Sequence, residues 1–246
     1  MEVFNAKNVL VTGASHGIGR ATAKAFAKAG CNVAVCCLKD KDALLELKKE
    51  IEAEGVKCLT FFGDISSSSF VNDMFKSIAN DFKKLDVLIN NAGISYVGLL
   101  TDMTDEDWKT SVDTNLSSVF YTCRAAIPLM LKEKSGHIIN ISSIWGVAGA
   151  SCEVAYSATK GGINAFTQGL AKELAPSGIS VNALACGVID TRMNGHLSKE
   201  EKAELAEEIP AGRFGSPEEV ADTLVNLTNT TTYLTGQIIR LDGGFI

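Results

Sequence analysis

The segment Glu153-Val154-Ala155-Tyr156-Ser157-Ala158-Thr159-Lys160 holds two side chains that could handle a proton together. Tyr156 and Lys160 are four residues apart, so on a helix they share one face. A phenol with a pKa of about 10 is a poor acid–base at neutral pH. A neighbouring ammonium favours the phenolate and is expected to lower that value, and a pKa closer to the working pH makes proton transfer efficient. Ser143 ends an apolar run and could hydrogen-bond an oxygen on which charge develops. Asn115, in Asp113-Thr114-Asn115-Leu116, could complete a polar chain to Lys160 through water. A lone Tyr-xxx-Lys is ordinary helix surface, and a lone Ser or Asn says less still. The set gains weight from what precedes it.

Upstream, an apolar run leads into Thr12-Gly13-Ala14-Ser15-His16-Gly17-Ile18-Gly19-Arg20 and then an Ala-rich segment. Gly13 permits a tight turn, Gly17 lets backbone approach a pyrophosphate, and Gly19 lets helix pack on strand. The helix start offers unpaired N–H groups and partial positive charge to phosphates. The spacing is GxxxGxG, and glycines at a strand–helix turn can be purely structural. The GKS/T ending of a nucleotide-hydrolysing loop is absent. Ser15, His16 and Ile18 complete the candidate cradle. Cofactor choice is read at the end of the second strand, where an acid would hold the 2′-OH of NAD. Here that end is Cys36-Cys37-Leu38-Lys39, with no acid and with Lys39 close, which favours NADP. His16 is a possible second cation, although an unperturbed histidine is mostly neutral at pH 7. Lys39 can equally be read as a solvated lysine. Asp64, followed by Ile65 and a run of serines, reads either as an N-cap or as a partner for an adenine amino group. Asn91-Ala92-Gly93 offers close backbone approach after a fourth strand.

The elements that must position these residues are legible from patterning. Short β-branched runs at Asn8–Thr12, Asn32–Cys37, Lys57–Phe62, Val87–Asn90, His137–Ser142, Ser180–Ala185 and Gln237–Leu241 alternate with helix-like segments such as Asp42–Glu54. That rhythm predicts an α/β fold, a doubly wound parallel sheet with helices on both faces, as one domain over 1–246. The stretch Asp190–Pro210 breaks the rhythm, is polar and helix-like, and sits where a substrate lid could be inserted. Ligands of such sheets bind beyond the carboxyl ends of the strands.

Composition narrows the classes. The chain has 246 residues, 46% hydrophobic, and a net charge of −6. No basic patch is available for nucleic acid or an anionic membrane surface. No run of about 18 uncharged apolar residues occurs, so no membrane span is expected. The start Met1-Glu2-Val3-Phe4-Asn5-Ala6-Lys7 lacks the features of a signal peptide. Seven cysteines without a CxxC pair read as free thiols in a reducing, cytoplasmic setting. His16, His137 and His196 show no ligand-like spacing to them, so no metal is expected.

Taken together, Thr12-Gly13-xxx-Gly17-Ile18-Gly19, Asn90-Asn91-Ala92-Gly93, Asn115, Ser143, Tyr156-xxx-Lys160 and Gly236-Gln237…Asp242-Gly243-Gly244 resemble the short-chain dehydrogenases/reductases over essentially the whole chain. The resemblance implies a seven-stranded Rossmann-type domain, an NADP or NAD cofactor and, as a rule, a homotetramer. It implies Tyr156 as acid–base, Lys160 on the nicotinamide ribose and tuning Tyr156, Ser143 on the substrate oxygen and Asn115 as a relay. It also implies cofactor contacts from Gly187, Val188 and Thr191.

Within the family, Tyr156-Ser157-Ala158-Thr159-Lys160 and Ile209-Pro210-Ala211-Gly212-Arg213-Phe214-Gly215 are similar to bacterial 3-oxoacyl-acyl-carrier-protein reductases. The substrate implied is a ketone, small or carrier-bound. Arg124 and Lys172 are candidate cations for an acidic carrier. Three departures stand out. His16 replaces a basic residue, and Cys186-Gly187 replaces Pro-Gly, which should weaken the turn beside the nicotinamide. The third, Trp145 to Glu153, is similar to the aminopentanone reductases acting on a modified lysine of elongation factor P. A carboxylate at Glu153, one helical turn before Tyr156, would favour a cationic ketone; the plainer reading is a first-turn helix residue. An alcohol or hydroxysteroid dehydrogenase is a further alternative. A non-catalytic dinucleotide sensor on the same fold is another, against which the intact Asn115/Ser143/Tyr156/Lys160 set argues.

Overall fold

Runs of Val, Ile, Leu, Ala and Cys exclude water most completely when covered on both sides, and a parallel sheet under two helical layers provides this. In a computed structural model, which describes residues 7–246 apart from His196, seven such runs are strands: β1 (Asn8–Thr12), β2 (Asn32–Cys37), β3 (Cys58–Phe62), β4 (Val87–Asn90), β5 (Gly136–Ser143), β6 (Ile179–Cys186) and β7 (Ile238–Leu241). They form one parallel sheet in the order β3-β2-β1-β4-β5-β6-β7. The chain winds outward from β1 in one direction and from β4 in the other, so the switch point lies between those two strands. The strand bounds differ slightly from the sequence reading. Lys57 stays outside β3, while Ser143 and Cys186 pair with each other and carry β5 and β6 further toward the site.

One face is covered by α1 (Gly17–Lys28), α2 (Lys41–Ala53) and α9 (Pro217–Leu227), which pack Phe26, Leu44, Leu47, Ile51, Val220 and Leu224 onto the sheet. The other is covered by α3 (Ser68–Phe82), α5 (Ser118–Leu131) and α7 (Val154–Leu174), through side chains such as Met74, Ile78, Val119, Met130 and Ile163. The helices α4 (Asp105–Val112), α6 (Trp145–Ala148) and α8 (Lys199–Glu208) complete the set. Between α4 and α5, residues Asp113–Ser117 form one widened, π-type turn, a local irregularity that often marks a functional residue. It buries Asn115 completely.

In the stretch expected as a lid, a tight turn at Arg192–Asn194 is followed by α8, which a Ser198/Glu201 capping box starts. No side chain of α8 is buried. Among the described residues no helix is long and apolar enough to cross a membrane.

Candidate active site

The carboxyl ends of β1 and β4 carry the glycine turn and the loop that holds it. Gly13 has φ +66°, and a Cβ there would lie 2.8 Å from Ala92 Cα. A Cβ at Gly19 would lie 2.5 Å from Asn91 Nδ2, so any larger residue would force helix and loop apart. Asn91 fastens the turn by donating from Nδ2 to the carbonyls of Thr12 (2.9 Å) and Gly13 (3.1 Å). Thr12 Oγ1 in return accepts from the amides of Asn91 and Ala92, both at 3.0 Å. At the start of α1, His16 occupies the capping position without a side-chain cap, and the first turn has no acid. The helix therefore presents uncapped N–H groups and an unneutralised positive end across a bare glycine turn, which fits the phosphates of a dinucleotide.

At the other end of that cradle the structure adds a carboxylate. Lys39 lies in the exposed turn after β2, and the next residue, Asp40, caps α2 by accepting from the Ala43 amide at 3.0 Å. Its second oxygen is 2.7 Å from His16 Nε2, and Arg192 Nη1 stands 2.9 Å from the same nitrogen. The Ala43 amide and His16 hold the Asp40 carboxyl below its ordinary pKa. Neither Asp40 nor Arg192 was an expected site residue. Their pairing joins elements far apart in sequence, and no local motif carries it. The N-cap reading of Asp64 is corrected: Ser67 caps α3, and Asp64 instead accepts from the amide (2.8 Å) and hydroxyl (2.7 Å) of Ser66. Ile65 is buried beside it.

Ser143 and Tyr156 face each other from the end of β5 and the first turn of α7, and Ser143 exerts a lowering pull on the phenol through a hydrogen bond. Ser143 Oγ also accepts from the Trp145 amide at 3.1 Å. Burial nevertheless pushes the Tyr156 phenol well above its ordinary value, with Cys186 and Glu153 adding to it. The expected lowering by Lys160 is thus reversed. Lys160 is itself 3% exposed, and burial brings its pKa down to about 8. Its ammonium lies 5.4 Å from the Tyr156 ring centroid and donates to the Ile141 carbonyl at 2.8 Å. In an enclosed site desolvation disfavours the charged form of each group and dominates both shifts.

Asn115 clamps the loop after Gly93. Its Oδ1 accepts from the Ile94 amide at 2.8 Å, and its Nδ2 donates to the Ile94 carbonyl at 2.9 Å and to Thr159 Oγ1 at 3.2 Å. A Cβ at Gly93 would lie 3.2 Å from Asn115 Oδ1 and 3.6 Å from Lys160 Nζ, so both groups converge on that glycine.

Beyond β6, the Gly187 amide donates to the Leu241 carbonyl at 2.9 Å, and the Val188 carbonyl accepts from Gly215 at the same distance. The last strand thereby pins the turn that proline was expected to stiffen. Thr191 abuts the glycine turn, 3.2 Å from where a Gly17 Cβ would be.

One expectation is displaced, and two candidate cations are located. Glu153 is the residue before α7, not part of its first turn, and its carboxylate accepts from Ser95 Oγ at 2.5 Å. Arg124 stacks 4.7 Å above the Phe120 ring and donates to Ser68, between α5 and α3. Lys172 lies in the last turn of α7, roughly 18 Å along the helix axis from Lys160 at 1.5 Å per residue. Among the described residues no cluster of three or more His, Cys, Asp or Glu could hold a metal; His196 lies outside them.

Known proteins place this geometry. A model of the short chain dehydrogenase family matches residues 7–202. A 3-oxoacyl-[acyl-carrier-protein] reductase of Staphylococcus aureus is 41% identical over 239 residues, covering 97% of each chain. An uncharacterized oxidoreductase of Bacillus subtilis, YmfI, is 39% identical over 241 residues, covering 97% of this chain and 98% of its own. The crystal structure of an actinorhodin polyketide ketoreductase variant with NADPH superimposes with a TM-score of 0.92 at 32% identity, covering 98% of this chain and 97% of that one. With its switch-point cradle, its seven-stranded sheet and its Ser143–Tyr156–Lys160 site, this chain belongs to the short chain dehydrogenase family.

Proposed function

We propose that the protein is an NADPH-dependent carbonyl reductase whose substrate is a 3-oxoacyl group on a carrier. The observation that carries the reading is the neutral, enclosed Tyr156 phenol between Ser143 and Lys160, at the same sheet edge as the glycine cradle. A ketone reductase needs a proton donor at neutral pH; burial keeps the Tyr156 phenol protonated but weakens it as an acid, so its proton transfer relies on Ser143 and Lys160 to offset the charge that develops. The bound nicotinamide supplies the hydride. Tyr156 gives its proton to the substrate oxygen, and the Ser143 hydroxyl, at the end of β5, hydrogen-bonds that oxygen as charge develops. Lys160 offsets the phenolate that remains. Asn115 fixes the Ile94 loop and, through Thr159, the first turn of α7. Lys39, Asp64, Ile65, Gly187, Val188 and Thr191 line the proposed dinucleotide path, and the stretch 190–210 acts as the lid.

The test is Tyr156→Phe, which keeps the ring and removes the proton. We expect loss of NADPH-linked reduction of a 3-oxoacyl thioester by at least about 100-fold, with NADPH binding retained. Near-normal turnover would exclude the mechanism.

One observation favours a second substrate reading. Cys152 has φ +61°, an uncommon backbone for a non-glycine residue, and it turns Glu153 toward Ser95 beside the catalytic tyrosine. A carboxylate there suits a cationic ketone. On this reading amino ketones are reduced better than neutral ketones of equal length, and Glu153→Gln removes the difference without slowing the neutral ones. Equal kcat/KM for the two classes in the wild type would return the substrate to the acyl-carrier ketones.

Seven free cysteines, six of them buried, support a cytoplasmic setting. Exposed Trp108 and Phe120 on α4 and α5, each 43% accessible, support assembly into a homotetramer.

A further inference from the structure

At the carboxyl end of β2 lies an open pocket of about 620 Å³ whose walls include His16, Arg20, Asp40, Asp42, Glu46 and Arg192. Arg20 is already committed: it donates to Glu50 at 2.7 Å and to the Ala43 carbonyl at 3.0 Å, and Glu46 is 3.6 Å away. That leaves His16 and Arg192 facing Asp40. Their arrangement contains a conflict. A single ring nitrogen carries either a proton or a lone pair. His16 Nε2 therefore cannot accept from Arg192 at 2.9 Å and also donate to Asp40 at 2.7 Å. Arg192 meets Asp40 itself only at 4.0 Å, and its side chain is 77% exposed. It is a guanidinium held on one side by a contested contact and free to turn on the other.

Its position says what it could take. Thr191 abuts the glycine turn, so Arg192 springs from the lid segment at the point where that segment crosses the cradle, and it reaches toward the end of β2. In a doubly wound sheet the adenosine ribose of a dinucleotide lies there. A planar guanidinium binds phosphate oxygens in pairs and more strongly than a partly exposed carboxylate at 4.0 Å.

We propose that Arg192 is the cation that recognises the 2′-phosphate of NADPH, reaching it from the lid rather than from the turn after β2, and that Asp40 is the carboxylate competing with that phosphate for the guanidinium. The proposal rests on the cofactor reading given above. It makes the lid part of cofactor choice: the segment that covers the substrate also reads which dinucleotide is present. It also gives Asp40 opposite effects on the two cofactors, since a carboxylate repels a 2′-phosphate and accepts a hydrogen bond from a 2′-OH.

The experiment is a direct binding titration of NADPH and NADH, followed by dinucleotide fluorescence, on the wild type and on Arg192→Ala, Arg192→Lys, Asp40→Asn and Lys39→Ala. Asn is as good an N-cap as Asp, so Asp40→Asn keeps α2 intact. Arg192→Ala is expected to weaken NADPH about tenfold, the worth of one charge-assisted hydrogen bond, and to change NADH less than about twofold. Arg192→Lys should retain part of the NADPH affinity, Asp40→Asn should raise the NADPH-to-NADH affinity ratio, and Lys39→Ala should cost less than Arg192→Ala. Equal weakening of both dinucleotides by Arg192→Ala would place the guanidinium on the shared pyrophosphate and overturn the proposal; no change in either would do the same. A wild type that binds NADH more tightly than NADPH would overturn the cofactor reading itself, a result separable from the behaviour of the variants.

Discussion

Tyr156 and Lys160 are each carried away from their ordinary ionisation by the same cause, and the consequence is a pH profile. Tyr156 is pushed up, so it stays protonated across the working range, while Lys160 falls to about 8 and loses its charge first. The free enzyme's groups govern kcat/KM. Ketone reduction should therefore hold level below about pH 8 and decline above it as Lys160 deprotonates. The descending limb should move upward in Lys160→Arg if that variant retains turnover. A limb that begins only above pH ~10, where an unperturbed phenol or lysine titrates, would show that Lys160 is charged throughout. The stability sign is the reverse of activity. A lysine depressed on folding binds fewer protons in the native than in the unfolded state, so its cost to stability fades as pH rises from about 8 toward its ordinary value. The four candidate residues Asn115, Ser143, Tyr156 and Lys160 drew attention in sequence because of their types and their order after a glycine turn, and the structure brings Ser143, Tyr156 and Lys160 together. The direction of the phenol's shift was not legible there, because an i, i+4 spacing reports a neighbour's charge and not how deeply both groups are enclosed.

At the scale of elements, the apolar runs announced the strands, because a buried parallel strand has no polar face to disguise it. The widened turn around Asn115 carried no such signal, since a π-type turn differs from an ordinary one only in which carbonyl each amide meets. Nor was the polar seam behind it visible. Thr122 donates to Asn90 Oδ1 at 2.7 Å, Asn90 to Asn140 Oδ1 at 2.8 Å, and Asn140 to Thr167 Oγ1 at 2.8 Å. This chain ties α5, β4, β5 and α7 together, and all four side chains are buried. Thr167→Val keeps the shape and deletes the last acceptor, leaving a buried amide unpaired. We expect a stability loss of about 1–3 kcal/mol, read from chemical denaturation, with Thr167→Ser close to wild type. Equal stability of the Val and Ser variants would mean that the seam contributes packing only.

For the whole molecule, burial sorts the thiols. Six of the seven cysteines are buried and only Cys152 is partly accessible. Burial raises Cys36, Cys58, Cys123 and Cys186 to about 12, so the reactive thiolate is scarce at those positions. An aromatic disulfide reagent should titrate one thiol rapidly in the native protein and seven in denaturant, and Cys152→Ser should abolish the rapid phase. More than one fast thiol would mean that the sheet opens under native conditions. The sheet order has a further consequence, which concerns time. The turn after β6 is fastened by the Leu241 carbonyl, and a side chain at Gly187 would lie 2.7 Å from Asp242 Cα. Leu241 ends β7 and Asp242 follows it; β7 is the seventh strand in chain order and the outermost on its side of the sheet, yet these partners brace the turn after Cys186, which stands beside Tyr156 and Lys160. In synthesis order Tyr156 and Lys160 precede the strand that completes their surroundings. A chain that ends before β7 lacks the Leu241 carbonyl that fastens this turn, and we expect such a chain to show no ketone reduction until β7 is supplied.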